Sequence, residues 1–387
     1  MQGVNHQNMN ETNKFLLLKA ISTHGPISRI ALSRQTKLSK MTITSLIGDY
    51  IDKGIVRECG ICESSAGRKP TLLEVVADSL LTLGICVGRD FLQVGIVDLK
   101  GRIISSDQIQ MAQITSEETF MKSLFAICDR IFENVDRSKV WGIGISSIGP
   151  ININEGIILN PPNFNIGNIN IVSSLQEKYH LPVFIENDMA VSALAEMYFG
   201  GGRGYDHFIY LGVTAGVGSG IIINSRLYSG TTGLAGSLGH MIIESDGEPC
   251  ACGQRGCIEA YSSIRATVNW VKKNGADQTI TWLDLLNKAS FNDELCVKAL
   301  DRMCSYLTIA LINAINLYDP QCVLVGGEFW FGANLVIDKL SDMVNERIFA
   351  AKVRKSIPIM RSHFPGNASF IGTAALVMEN NLEYRKK

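Results

Sequence analysis

A compact group of three cysteines and one histidine constrains this chain more than any other feature of its sequence. His240 precedes the ten residues CACGQRGCIE at positions 250–259, so one imidazole and three thiols fall within eighteen residues. Zinc takes this four-ligand set in a closed tetrahedral site, and glycines at 253 and 256 allow the loop to curl around a metal. We therefore predict one structural zinc ion per chain. The predicted ligands are His240, Cys250, Cys252 and Cys257. The alternative is a set of reduced cysteines that bind nothing.

Composition limits the classes of protein to which the chain can belong. With 387 residues, 46% of them hydrophobic and 19% charged, it is too long for one ordinary core and too apolar to be disordered. Ten cysteines are too sparse for a disulfide scaffold, which favours a reducing compartment. No apolar run of about 18 residues occurs, and the first twelve residues are polar. We expect a soluble cytoplasmic protein with no membrane partner.

The first eighty residues show the pattern of a helix-turn-helix. A helix from about Asn13 to His24 is followed by a second, Arg29 to Gln35, which Ser28 caps. A third helix begins after a Ser39 cap and carries an apolar stripe at the spacing i, i+3, i+4, i+7, i+8. That stripe consists of Ile43, Leu46, Ile47, Tyr50 and Ile51. The third helix is the predicted recognition helix, which buries one face and presents the other to the major groove.

Short polar side chains and one lysine occupy the N-terminal half of that helix, off the apolar stripe. They are suited to base edges and phosphates. The predicted contacts are Ser39, Lys40, Thr42, Thr44 and Ser45. A solvated helix face is the alternative interpretation. Residues 1–80 carry 10 Lys and Arg against 7 Asp and Glu, a mild excess that is compatible with operator DNA as a partner.

A β-hairpin after the recognition helix favours DNA binding over a plain solvated face. The pattern predicts a strand at residues 55–58, a polar loop, and a second strand from Thr71 to Val76. Arg68 and Lys69 lie in that loop, where two adjacent cations can reach a backbone or a minor groove. The chain therefore predicts a winged helix-turn-helix. Cys59 and Cys62 in the wing have no second pair nearby, so we interpret them as ordinary cysteines.

Strand-like runs and glycine turns begin at Leu81 and continue to the C-terminus. Glycine-rich stretches at 216–220 and 326–327 resemble phosphate-binding turns, although such glycines are more often simple tight turns. Two strand-rich lobes with a shared cleft fit an α/β fold of the actin-like, sugar-kinase type, which is ribonuclease H-like. We predict a DNA-binding domain over 1–78, a first lobe over 79–188 completed by a C-terminal helix at 369–387, and a second lobe with the zinc site over 189–368.

An amide and a carboxylate mark the end of one predicted strand in the first lobe. Asn187 and Asp188 follow the strand Val183 to Ile185 and open a helix at Met189. Together they can accept from and donate to adjacent hydroxyls, and Asp188 could act as a general base towards a sugar hydroxyl. The alternative is an ordinary helix cap.

These motifs resemble the ROK family (repressor, open reading frame, kinase), and specifically its branch of winged-helix regulators of sugar genes such as those for xylose and N-acetylglucosamine. The cysteine motif CxCGxxGCxE at 250–259 is highly specific for that family, and the resemblance spans roughly residues 10–380. It implies that a sugar or sugar phosphate is the effector. The implied effector contacts are Asn163, Asn187, Asp188, Ser237, His240 and Glu259. His240 would then serve both the metal and the sugar.

Two departures from the family pattern bear on kinase activity. Kinases of the family open their ATP site with a DxGGT turn, whereas the corresponding stretch here is CVGRD at 86–90. ATP binding is therefore not expected. The family's ExGH motif becomes SLGH at 237–240, which places Ser237 where a sugar-binding carboxylate is expected.

The leading hypothesis is a non-enzymatic, sequence-specific transcriptional repressor of carbohydrate-utilisation genes that responds to a sugar. A homodimer, or a tetramer, is implied because one helix-turn-helix has a small footprint. The alternative is an ATP-dependent sugar kinase with a DNA-binding appendage and Asp188 as its catalytic base. A third hypothesis, a regulator that responds to a phosphocarrier protein, remains open.

Overall fold

The structure is a computed structural model and describes residues 6–61, 70–159, 166–349, 353 and 356–384. The chain forms two compact units, of which the first comprises Met1–Phe199 with Ser369–Lys387 and the second comprises Gly200–Ala368. Among the described residues, no helix is both long enough and apolar enough to cross a bilayer.

A winged helix forms the N-terminal part of the first unit. Its elements are α1 (His6–His24), β1 (Ile27–Ser28), α2 (Arg29–Thr36), α3 (Lys40–Asp52), β2 (Val56–Ile61) and β3 (Thr71–Val75). The three strands pair antiparallel in the order β1-β3-β2. Both predicted caps are confirmed, since Ser28 Oγ accepts from the Ala31 amide at 3.2 Å and Ser39 Oγ from the Thr42 amide at 3.1 Å.

Apolar side chains of all three helices form the core of the winged helix. Four of the five residues of the predicted α3 stripe are buried, and Ile51 is half-buried. Helix α1 begins at His6, seven residues before the predicted start at Asn13. Its first seven residues are polar apart from Met9 and show no apolar periodicity, so the sequence pattern could not reveal them as helix.

The rest of the chain supplies two mixed sheets and nine further helices within the described ranges. The strands are β4 (Leu81–Val87), β5 (Phe91–Asp98), β6 (Ile103–Gln110), β7 (Val140–Ser147), β8 (Ile151–Asn152), β9 (Ile157–Ile158), β10 (Val183–Asn187), β11 (Phe208–Val213), β12 (Val217–Ile223), β13 (Arg226–Leu227), β14 (Cys322–Gly327) and β15 (Ile359–Arg361). The helices are α4 (Glu117–Phe132), α5 (Ile171–Tyr179), α6 (Asp188–Phe199), α7 (Glu259–Ser262), α8 (Ile264–Lys273), α9 (Trp282–Ser290), α10 (Glu294–Tyr318), α11 (Ala333–Asn345) and α12 (Ala368–Tyr384).

The two five-stranded sheets repeat one topology. The first has the order β10-β7-β4-β5-β6 and the second β13-β12-β11-β14-β15. In each, three consecutive strands pair antiparallel, and two later strands add in parallel on the side of the first strand. This duplication confirms the predicted α/β fold of the actin-like, sugar-kinase type, because parallel additions require crossover helices that cover the faces of each sheet.

Helix α6 links the sheet of the first unit to α12. Every residue from Ala190 to Tyr198 is buried. A Cβ on Gly372 would lie 2.0 Å from the Val191 carbonyl oxygen, so α12 contacts α6 with no side chain between their backbones at this point. Helix α6 therefore lies within the first unit, whereas the sequence analysis placed a boundary after residue 188.

Helix α10 is the longest helix of the second unit within the described ranges. It begins at Glu294, where the Asp293 side chain accepts from the Cys296 amide at 3.0 Å and caps it. The buried core of the second unit lies around this helix and β14.

Candidate functional site

The exposed face of α3 carries the predicted DNA contacts. Ser39, Lys40, Thr44 and Ser45 are exposed, and Thr42 is partly buried. Several of the hydroxyls already make local hydrogen bonds, since Ser39 Oγ lies 2.9 Å from Thr42 Oγ1 and Thr44 Oγ1 donates to the Lys40 carbonyl at 2.8 Å. The hydroxyls of Ser39, Thr42 and Thr44 therefore stabilise the start of the helix. The side chains of Lys40 and Ser45 are exposed beside them.

Sequence reasoning missed Met41 on this face, whose side chain is 78% exposed. An exposed methionine between polar neighbours at the start of a recognition helix can contact the methyl group of thymine. Its position outside the apolar stripe was the signal that could have found it. The paired strands β2 and β3 confirm the predicted hairpin, while Arg68 and Lys69 lie outside the described residues.

The predicted zinc ligands converge in the second unit. The ligand atoms of His240, Cys250, Cys252 and Cys257 all lie within 4.8 Å of one another. Cys252 Sγ is 3.7 Å from Cys257 Sγ, and Cys250 Sγ is 3.8 Å from His240 Nδ1. Zn–S bonds of about 2.3 Å arranged tetrahedrally require ligand separations of about 3.8 Å. The donor set and its spacing therefore fit a tetrahedral metal ion.

Backbone pairing holds the loop that carries the three cysteines in this shape. We call this loop, residues 250–257, the metal loop. The Ile243 amide donates to the Gly256 carbonyl at 2.9 Å, and the Ile258 amide to the Met241 carbonyl at 3.0 Å, which places the segment after His240 beside Cys257. Gly256 has φ +75°, and a Cβ there would lie 1.6 Å from a neighbouring carbonyl oxygen. Only glycine fits this position without moving the loop.

Glu259 connects the metal loop to the turn between β11 and β12. It starts α7 two residues after Cys257, and its Oε2 accepts from the Val217 amide at 3.0 Å. The 3₁₀ turn that contains His240 packs on the same place, since a Cβ on Gly239 would lie 2.1 Å from the Val217 carbonyl oxygen. The imidazole, the metal loop and the Glu259 carboxylate are thus structurally coupled within one unit.

Two other predictions for this region have different outcomes. Ser237 is exposed, and its Oγ donates to the Leu234 carbonyl at 2.8 Å. The glycine-rich stretch at 216–220 resembles a phosphate-binding turn in sequence, but Val217–Gly220 lies inside β12, paired with β11. Only Gly216 belongs to the turn, so this stretch is mainly a hairpin strand.

Asn187 and Asp188 lie at the junction of β10 and α6 in the first unit. Asn187 Oδ1 and Asp188 Oδ1 both accept from the Met189 amide, at 3.0 and 2.9 Å. Asn187, the residue before the helix, therefore accepts in the manner of an N-cap, whereas Asp188 accepts only from the amide of the next residue and uses one of its two carboxylate oxygens to do so. Asn163, the other predicted effector contact of the first lobe, lies outside the described residues.

The carboxyl group of Asp188 has a raised pKa. Burial raises its pKa to about 6, and the hydrogen bond from the Met189 amide only partly offsets this. A raised pKa at a strand end is typical of groups that take a proton, or accept a hydrogen bond from a hydroxyl, during function. Buried carboxyl groups with a purely structural role can also have a raised pKa.

Comparisons with known proteins define the class to which this chain belongs. Residues 82–380 match the ROK family, and the chain belongs to this family. It is similar to the xylose repressor of Bacillus subtilis (strain 168), with 33% identity over 375 residues and 96% of each chain covered. It is also similar to the DNA-binding transcriptional dual regulator NagC of Escherichia coli (strain K12), with 27% identity over 377 residues, 95% of this chain and 92% of the relative.

Solved structures show the same relationship. A ROK family transcriptional regulator described as a homologue of the E. coli Mlc protein superposes with a TM-score of 0.82 at 26% identity and covers 97% of each chain. A ROK family glucokinase from Streptomyces griseus, solved with glucose and AMPPNP, superposes with a TM-score of 0.68 at 27% identity. The superposition covers 98% of the glucokinase but 76% of this chain, so about a quarter of this chain has no counterpart in the glucokinase.

Proposed function

We propose that this protein is a DNA-binding transcriptional repressor of carbohydrate-utilisation genes that releases its operator when a sugar binds to the ROK body. The observation that carries the proposal is the winged helix on the same chain as that body. The similarity to a protein named xylose repressor and to two proteins named as transcriptional regulators supports it, since these matches extend over nearly the whole chain.

Operator recognition is proposed for the N-terminal half of α3. Lys40 and the helix N-terminus would contact phosphates, while Met41, Thr44 and Ser45 would reach base edges. Ser39 and Thr42 would act mainly by holding the start of the helix, because their hydroxyls cap it. The wing cations Arg68 and Lys69 would add sequence-independent affinity. A homodimer or tetramer would pair two such helices on a two-fold operator, in the cytoplasm where the chromosome lies.

The effector in this proposal is a sugar with vicinal hydroxyls. Carboxylate and amide groups bind such hydroxyls well, because a carboxylate can accept from two hydroxyls and an amide can both accept and donate. The proposed contacts are Asn163, Asn187, Asp188, Ser237, His240 and Glu259. Xylose is the first candidate because of the relative named xylose repressor. The coupling free energy between sugar and operator is the quantity that defines the function.

We also propose one zinc ion on His240, Cys250, Cys252 and Cys257. Burial, reinforced by the neighbouring thiols, raises the pKa of Cys257 to about 12, so this ligand would be protonated without a bound cation. Bound zinc would stabilise the thiolates and the loop that leads to Glu259. In this role the metal shapes the site and carries out no chemistry.

The proposal is tested by titrating the protein against its operator with and without sugar. The operator is first selected from a randomised DNA pool by the purified protein. We expect xylose, N-acetylglucosamine or its 6-phosphate to weaken operator binding, and Asp188→Asn to lose most of that response. Operator affinity that no sugar changes would refute the proposed function.

A sugar kinase is the second candidate function. Its specific support is the raised pKa of Asp188 at a strand end, combined with the ROK glucokinase that superposes on the body. The CVGRD stretch ends β4 with Cys86 and Val87, and its last three residues form a tight turn in which the Gly88 amide donates to the Phe91 carbonyl at 2.9 Å. ADP release with Mg-ATP over the same sugars, abolished in Asp188→Asn, would favour the kinase.

A further inference from the structure

A group of three side chains, one buried and two half-buried, joins the winged helix to the body within the first unit. Helix α1 contributes to the core of the winged helix through Leu17, Leu18 and Ile21, and it also contacts α6 of the body. On α1, the ammonium of Lys19 is ion-paired with the carboxylate of Glu379 on α12. The Lys19 and Glu379 side chains are 13% and 19% exposed.

The third member of the group is Tyr198, at the C-terminal end of α6. Its side chain is fully buried, and its hydroxyl donates to Glu379 Oε1 at 2.8 Å. The ammonium of Lys19 lies 5.4 Å from the centre of the Tyr198 ring, which is within range of a cation–π interaction. Three helices, one from the winged helix and two from the body, therefore contact one another through a single carboxylate.

The opposite end of α6 carries the effector residue of the proposed function. Asp188 is the first residue of this helix and Tyr198 lies ten residues later, about 15 Å along the axis at 1.5 Å per residue. The helix between them is buried, and it meets α12 at the close contact between Val191 and Gly372. Two helices packed this closely cannot accommodate a small shift by rearranging one side chain. They move between discrete arrangements. A displacement at Asp188 is thus carried to Tyr198.

We propose that Lys19, Tyr198 and Glu379 are positioning residues that couple the effector site to the winged helix. The inference rests on the proposed function and specifies how its regulation works. The Tyr198 hydroxyl and the Lys19 ammonium share the Glu379 carboxylate, so a shift of α6 changes the hydrogen bonding of that carboxylate and with it the position of α1. Since α1 forms part of the winged-helix core, the recognition helix α3 moves with it.

The chain offers a matched control of the same chemistry elsewhere in the first unit. Tyr179 donates to Asp129 Oδ1 at 2.9 Å, and Lys178 donates to Oδ2 of the same carboxylate at 2.7 Å. Lys178 also lies 5.3 Å from the centre of the Tyr179 ring. This lysine, carboxylate and tyrosine join α4 to α5. Removing the hydroxyl of Tyr179 therefore shows how much the loss of a tyrosine–carboxylate hydrogen bond elsewhere in this unit changes DNA binding and stability.

The experiment compares Tyr198→Phe, Glu379→Gln and Tyr179→Phe with the wild-type protein. The probe is the DNA fragment selected by the wild type, titrated without sugar and with whichever of xylose, N-acetylglucosamine and its 6-phosphate weakens wild-type binding most. The readout is the ratio of the two dissociation constants, with the sugar dissociation constant measured separately by calorimetry. Thermal unfolding of each variant establishes that it is folded.

We expect Tyr198→Phe and Glu379→Gln to reduce that ratio about tenfold, the equivalent of one hydrogen bond to a charged group, while sugar affinity without DNA changes little. Tyr179→Phe should keep the wild-type ratio. A ratio in folded Tyr198→Phe and Glu379→Gln within twofold of the wild type would overturn the inference, as would an equal loss in Tyr179→Phe. A wild-type ratio of one for every sugar would instead overturn the proposed function, and the coupling with it.

Discussion

Replacing Asp188 with asparagine should stabilise the protein near neutral pH. Burial raises the pKa of this carboxyl group from 3.8 to about 6, and this difference corresponds to about 3 kcal/mol against the ionised form in the folded state. Asparagine keeps an oxygen that can accept from the Met189 amide. It loses the attraction of a carboxylate for a helix N-terminus, about 0.3–1 kcal/mol. The net gain in the free energy of unfolding should be about 2 kcal/mol at pH 7.5.

The sign of the pH dependence follows from the raised pKa. Above pH 6 the wild-type carboxylate is ionised in both states and the variant has its full advantage. As the pH falls from 6 towards 4, the folded wild type takes up its proton first, so the advantage shrinks, and it disappears below 3.8. Urea unfolding of both proteins from pH 4 to pH 8 measures it.

A suitable control is Asp136→Asn. Hydrogen bonds from the Ser138 side chain and backbone lower the pKa of this exposed carboxyl group, so its replacement should give no gain at neutral pH. If the stability difference between Asp188→Asn and wild type does not change between pH 4.5 and 7.5, burial does not control the titration of Asp188.

Three further predictions concern the metal loop and the recognition helix. Cys252→Ser should lower bound zinc well below one ion per chain by emission spectroscopy, because one of four ligands is lost; an unchanged metal content would contradict the ligand assignment. Gly256→Ala should also release metal, since its Cβ would overlap a carbonyl oxygen. The control is Gly253→Ala, where φ is +90° and the space around the residue is open. This replacement should cost only about 1–2 kcal/mol of stability. Metal retention by the Gly256 variant would refute that packing argument. Lys40→Ala should weaken binding to all DNA sequences and reduce the salt dependence of binding by about one phosphate contact. The control is Lys53→Ala, since Lys53 is exposed at the far end of α3. Equal effects of the two replacements would remove Lys40 from the interface.

Local features of the fold could be predicted because they depend on neighbours in the chain. The caps at Ser28 and Ser39, the apolar stripe of α3 and the wing strands all follow from residue type and spacing. The convergence of His240, Cys250, Cys252 and Cys257 was predictable for the same reason, since all four side chains lie on one short segment. The polar start of α1 was missed because it has no apolar periodicity.

Features that depend on distant segments were decided by tertiary structure. The sequence alone indicated a carboxylate at Asp188, and only the fold shows that burial raises its pKa. It also indicated a phosphate-type loop at 216–220, which pairing with β11 turns into a strand. Nothing in the local pattern around Lys19 indicates Glu379, 360 residues away, as its partner. Residue order and spacing determined the winged helix, the cysteine motif and the two-lobed pattern, because these arise from short-range geometry. The packing of α1, α6 and α12 around one carboxylate was decided by the folded chain, because contacts between distant residues exist only after the sheets and helices have assembled.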